Sequence, residues 1–187
     1  DTGRMDEAEP LYRATYEARK AKLGEDHPDT LSSANNLAIL LKKTGRMDEA
    51  EPLYRATYEA RKAKLGEDHP DTLSSANNLA ILLKKTGRMD EAEPLYRATY
   101  EAQKAKLGED HPDTLNSAGN LASLLSDTGR MDEAEPLYRA TYEAQKAKLG
   151  EDHPDTLNSA GNLASLLSDT GRMDEAEPLY RATYEAR

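Results

Sequence analysis

Four histidines, His27, His69, His111 and His153, each stand directly before a proline and beside carboxylates, with Glu25, Asp26 and Asp29 around the first. Imidazole next to carboxylate is the vocabulary of metal ligation and of general base catalysis. The spacing argues against both. Copies of the histidine recur every 42 residues, and two helices packed at 8–10 Å would separate them by about 20 Å, too far to share an ion. Each His therefore reads as a turn or cap residue, and the carboxylates around it lack the ligand density of a calcium loop. The acidic cluster Asp48, Glu49 and Glu51 suits the positive end of a helix. Tyr12 and Tyr16, four apart, could stack bases, but the chain carries a net charge of −10, which argues against binding phosphates. No glycine-rich phosphate loop and no Ser or Cys nucleophile motif occurs. A reaction centre is a unique constellation, whereas every candidate here is copied in similar surroundings. The sequence predicts no enzyme, no cofactor and no metal.

What positions these residues is a unit of 42 residues, His27 to Asp68, which begins again at His69, His111 and His153. Its first half predicts a helix (helix A) over roughly 28–43. Pro28 suits the first turn, Asp26 or His27 the cap, and Leu31, Ala34, Leu37, Ala38 and Leu41 form a stripe at spacings of three and four. Lys42 and Lys43 complement the C-terminal dipole, and Gly45 provides the left-handed stop. Helix B follows. Asp48 with Glu51 resembles a capping box, Pro52 is placed in the first turn, and Ala50, Leu53, Tyr54, Thr57, Ala60 and Ala63 make the buried stripe. Leu65-Gly66 ends it. Short connections predict antiparallel neighbours. The chain divides into a half repeat with helix B only (1–26), full repeats 27–68, 69–110 and 111–152, and a last repeat over 153–187 shortened in helix B. Helix B of the first copy is expected to follow Gly3, the equivalent of Gly45.

Composition agrees with an elongated stack. Hydrophobic residues make up 37%, without Trp or Phe, which is lean for a globule but sufficient where each unit buries only the faces that meet its neighbours. There is no Cys, which excludes disulfides and thiol chemistry. No apolar run is long enough to span a membrane, and the first residues lack a signal-peptide pattern, although the chain starts inside a repeat. A soluble, cytoplasmic protein is expected.

The string around Gly45 carries a family resemblance. Leu37, Ala38, Leu41, Ala50, Tyr54 and Thr57 occupy the small and large signature positions of a tetratricopeptide repeat. The strings NNLA, GRMDEAEPLYRA and LGEDHPDT are similar to the 42-residue repeats of kinesin light chains and related proteins. The resemblance covers the whole chain. It implies an all-α fold, a right-handed superhelical α-solenoid of antiparallel helix pairs, and a role in binding proteins rather than catalysis. The chain departs from the 34-residue form at Ala34 and Leu41, where aromatics are usual, and at Lys62, where a proline ends the shorter helix. The eight extra residues fall between Thr57 and Ala76.

The copies differ at few positions. Helix A comes in an early type, with Ser32, Asn35, Ile39, Lys42 and Lys43, repeated at Ser74, Asn77, Ile81, Lys84 and Lys85. The late type has Asn116, Gly119, Ser123, Ser126 and Asp127, repeated at Asn158, Gly161, Ser165, Ser168 and Asp169. Arg61 becomes Gln103 and Gln145. These helix A positions share one side, away from the Leu37/Leu41 stripe. Beside them Asn36, Asn78, Asn120 and Asn162 do not vary. In the proteins that this chain resembles, the equivalent face lines a concave groove, and an Asn there bonds an extended peptide. The resemblance thus implies a peptide groove that is lysine-rich early, attracting an acidic peptide, and Ser-, Gly- and Asp-bearing late. Free variation of solvent-facing positions accounts for the same differences, and helix dipoles account for the lysines. Residues 1–19 repeat at 169–187, and neither end shows a distinct polar capping helix, so end-to-end self-association is the competing expectation.

Overall fold

The computed structural model describes residues 2–185; Asp1, Ala186 and Arg187, which belong to the repeated end segments noted above, lie outside them. The described residues form nine α-helices and no strand: α1 Thr2–Leu23, α2 Pro28–Lys43, α3 Met47–Leu65, α4 Pro70–Lys85, α5 Met89–Leu107, α6 Pro112–Asp127, α7 Met131–Leu149, α8 Pro154–Asp169 and α9 Met173–Glu185. They fall into two compact units, 1–95 and 96–187. In the first, α2 packs on α1 and α3, and α3 on α4; in the second, α7 packs on α6 and α8, and α8 on α9.

Local chemistry sets the helix limits. His27 is the N-cap of α2, and its Nδ1 accepts the Asp29 N–H at 3.2 Å while Pro28 occupies the first helical position. At the other end Gly45, at φ +83°, donates to Lys42 O at 3.2 Å, and Arg46 N–H reaches back to Leu41 O at 2.8 Å. This pair of bonds is the Schellman closure, and it needs a residue that tolerates the left-handed region. Gly66, at φ 92° and ψ 164°, ends α3 in a region that is essentially glycine-only.

Helix A is buried more widely than its predicted stripe. Leu40, Thr30 and Ser33 join Leu31, Ala34, Leu37, Ala38 and Leu41 inside, because α2 is flanked by a helix on each side and has two faces to bury.

Helix B departs from expectation in four respects. Its N-cap is Arg46, without a side-chain cap bond, so Asp48 and Glu51 make no capping box. Pro52 is the sixth helical residue, in the second turn, and it leaves the Asp48 carbonyl without its i+4 donor. Only Ala50, Tyr54 and Thr57 are fully buried, while Leu53 and Ala60 are half-buried and Ala63 is exposed. The cause is length: a helix of 19 residues outruns a partner of 16, so Ala63 is left uncovered although Lys64 beside it still reaches Asp26 O. Finally, α1 runs through Gly3 from Thr2. The turn at Gly45, by contrast, is held by the Lys42 and Leu41 carbonyls of the preceding helix A.

Candidate binding surface

The variable helix A positions lie on a surface that is accessible throughout. Ser32, Asn36, Lys43, Ser74, Lys85, Asn116, Asp127, Asn158, Asn162, Ser165 and Asp169 are exposed. Asn35, Ile39, Lys42, Asn77, Asn78, Ile81, Lys84, Asn120, Ser123, Ser126 and Ser168 are half-buried. The structure therefore places all of the predicted groove residues at the surface, but several also hold the fold together.

In the first unit Asn78 Nδ2 donates to Asn35 Oδ1 at 3.2 Å. An asparagine that is the same in every copy thus bonds the variable asparagine of the copy before, which gives a mid-helix Asn a structural reason. In the second unit Gly119 stands where Asn35 does, so the same bond from Asn162 has no acceptor there.

The exchange of Ile39 for Ser123 reaches the core. Tyr54 is wholly buried and its hydroxyl has no hydrogen-bond partner; burial pushes its pKa up to about 12. Its counterpart Tyr138 is also raised by burial, but it shares a hydrogen bond with Ser123, and the Asp127 carboxylate beside it adds to the rise. Ser123 thus supplies a partner that Ile39 cannot.

The lysines at the end of helix A differ from every arginine nearby. Lys42 Nζ sits 5.9 Å from the Tyr54 ring centroid, and its pKa is lowered by burial and by the neighbouring Lys85 and Lys43. Among the described residues no carboxylate pairs with Lys42, Lys43 or Lys85. At the corresponding late positions Ser126 and Ser168 turn instead to the sulfurs of Met131 and Met173, at 3.4 and 3.3 Å.

The arginines at the start of helix B and near its middle are engaged by glutamates. Arg46 donates to both Glu9 oxygens at 2.6 Å and to Glu49 at 2.7 Å, while Arg13 bridges the same two glutamates at 2.9 and 2.8 Å. The foursome recurs in the first unit as Glu51, Arg55, Arg88 and Glu91, and in the second as Glu135, Arg139, Arg172 and Glu175. Their guanidinium donors hold Glu91 and Glu175 down to about 2. The acidic residues at the start of helix B are thus cross-copy ion-pair partners as well as dipole-complementing charges. Among the described residues no three His, Asp or Glu side chains converge as a metal site, and each histidine is a helix cap.

The sequence profile of the tetratricopeptide repeat matches residues 1–63, 33–105, 71–147 and 113–187. The chain belongs to the tetratricopeptide repeat family. It is similar over 99% of its length, at 27% identity and a TM-score of 0.87, to 87% of a variant of a Podospora anserina putative kinesin light chain with nearly identical tetratricopeptide-like repeats. It also matches BtubC from P. vanneervenii, at 22% identity and a TM-score of 0.85, over 100% of this chain and 74% of the other. MamA follows at 12% identity and 0.66, over 99% and 90%; the last two likenesses concern the fold alone. No curated protein matches the chain. Tetratricopeptide repeats of this kind are scaffolds for protein interaction or self-assembly, and no helix of the described residues is long and apolar enough to cross a membrane.

Proposed function

We propose that this tetratricopeptide repeat protein is a non-catalytic scaffold that binds protein segments along the helix A face of its repeats, 27–68, 69–110, 111–152 and 153–187, with an acidic peptide taken at the early lysines. The observation that carries this is the unpaired cluster Lys42, Lys43 and Lys85. Where the arginines of helix B are matched by glutamates, these lysines crowd one another, and burial adds to the penalty on Lys42. A carboxylate ligand would relieve repulsion that the folded chain carries alone. Asn36, exposed beside them, offers both a donor and an acceptor to an extended backbone.

The test is fluorescence anisotropy with a labelled Glu-rich peptide against the native chain and a variant with Lys42, Lys43, Lys84 and Lys85 reversed to Glu. Saturable, salt-sensitive binding that the variant loses is expected. Binding that survives the reversal would refute the assignment of the face.

The second reading is self-association. Leu11 and Tyr12 on α1 are 71% and 40% exposed, and Tyr180 on α9 is 39% exposed, although Tyr54 is fully covered. These exposed positions let α1 of one molecule stack on the α9 end of another, head to tail. Light scattering that reports a monomer across a wide concentration range would exclude this.

A further inference from the structure

The one variable position on helix B opens a different surface. In the first unit Arg61 Nη1 donates to Asp71 O at 3.2 Å and to Ser75 Oγ at 2.9 Å, tying the end of α3 to the start of α4. Arg19 makes the same two bonds to Asp29 O and Ser33 Oγ, at 3.2 and 2.8 Å. In the second unit the equivalents of Arg61 are Gln103 and Gln145, the latter at the α7–α8 junction. The shorter amide leaves its Oε1 buried without a hydrogen-bond partner, and Ser159, the equivalent of Ser75, turns to Thr156 O at 2.9 Å. The space beside Arg61 measures about 60 Å³ and the corresponding space beside Gln145 about 240 Å³.

We propose that this cavity at the α7–α8 junction binds the guanidinium of an arginine side chain presented by a protein partner, in the position that Arg61 fills from within the first unit. The chemistry left behind is that of a guanidinium site: the Asp155 carbonyl and Ser159 hydroxyl, which Arg61 satisfies at their counterparts, and the orphaned Gln145 oxygen as a third acceptor. The Asp110 and Asp155 residues at the rim supply negative charge, and Leu115 and Leu149 offer apolar walls to a planar cation and its methylene stem. Lys148 is a second cation in the cavity, and the Asp110 and Asp155 carboxylates offset both charges. The Lys148 ammonium is held by Asp110 O at 2.7 Å, as Lys64 is held by Asp26 O at 2.7 Å while sharing its pocket with Arg61. A lysine guest would lack the flat, forked array of donors that three separated acceptors require. The cavity touches the helix A face at Asn116, but its acceptors are distinct from the lysines Lys42, Lys43 and Lys85 on which the groove proposal rests, so its failure leaves that proposal standing, and the reverse.

The experiment titrates N-acetyl-arginine amide into the full 187-residue chain and follows the side-chain amide resonance of Asn116, which lines the cavity. Expected are a saturable shift with the arginine derivative, at least about tenfold weaker binding of N-acetyl-lysine amide, and complete loss in Gln145→Arg. That variant restores the residue the early copies carry and so retains the fold. Arg61→Gln should create a further site of this kind in the first unit, read at the Asp71 backbone amide. Absence of a saturable shift in the native chain, as would occur if the Gln145 amide turned its own N–H₂ toward Asp155, overturns the proposal. So does equal binding of the lysine derivative, or a shift that persists in Gln145→Arg.

Discussion

Removing one oxygen atom at two equivalent tyrosines should have opposite consequences. Tyr54→Phe deletes a hydroxyl that is buried and unbonded; Tyr138→Phe deletes one bonded to Ser123. A net hydrogen bond is worth about 1 kcal/mol, and an unsatisfied buried polar group costs about 1–3 kcal/mol. Tyr138→Phe should therefore lose about 1 kcal/mol, with Ser123, half-buried, recovering part of its bonding from water. Tyr54→Phe should be neutral or gain up to about 1 kcal/mol, because the ring, its packing and the Lys42 contact at 5.9 Å all remain. For a chain of this length about 1 kcal/mol corresponds to a shift of about 2–4 °C in Tm. Repeat arrays unfold with limited cooperativity, so amide exchange in α3 and α7 should accompany the thermal scan and localise each effect. Ultraviolet titration provides an independent check, since Tyr54 ionises only near pH 12. Equal destabilisation by the two substitutions would refute the claim that Ser123 and Ile39 present these tyrosines with different surroundings.

Four further outcomes are expected. Gly119→Ala should stabilise α6 by about 1 kcal/mol, because the helix interior favours Ala and an added Cβ meets nothing within 4 Å; amide exchange in 112–127, expected to be faster than in 28–43, should slow. Gly45→Ala should destabilise despite equally open space, since φ is +83°, and a thermal scan reads the difference. On acidification, stability should fall between pH 4.5 and about 2, the interval between the ordinary carboxyl value and that of Glu91 and Glu175. Their folded-state pKa is depressed, so the contribution is full above the upper limit and lost as protons bind; Arg88→Gln should shrink that loss in an acid titration. His27→Ala should fray α2 at its start by removing the acceptor of the Asp29 N–H, with a cost of about 1 kcal/mol visible as faster exchange at Asp29.

Much of the fold was legible because its determinants are local. The limits 28–43 of helix A follow from Pro28 and Gly45, both of which act within a few residues. What escaped is set by how helices meet. Leu40 lies off the single stripe and is buried because a second helix covers that side. Ala63 lies on the stripe and is exposed because it falls where α3 outruns the shorter α2. The Glu9–Arg46 and Arg13–Glu49 pairs join positions 37 and 36 apart, offsets that no helical period suggests. A signal was present nonetheless: Arg and Glu recur unchanged at these positions in all copies, while Arg61 does not. On the candidate surface the sequence indicated accessibility correctly, but not that Asn78 and Ser123 also serve inter-copy and core contacts.

The ion-pair foursome bears on how such a chain changes length. Each foursome draws Glu and Arg from successive copies, and every copy carries the same Glu, Arg, Arg and Glu. Any copy is therefore an acceptable neighbour for any other at this seam. A change of length by 42 residues or a multiple of 42 leaves each foursome complete, whereas any other shift takes Glu and Arg out of register. The seam is thus compatible with whole repeats and not with fractions of one, because each copy presents its neighbour with the same charges.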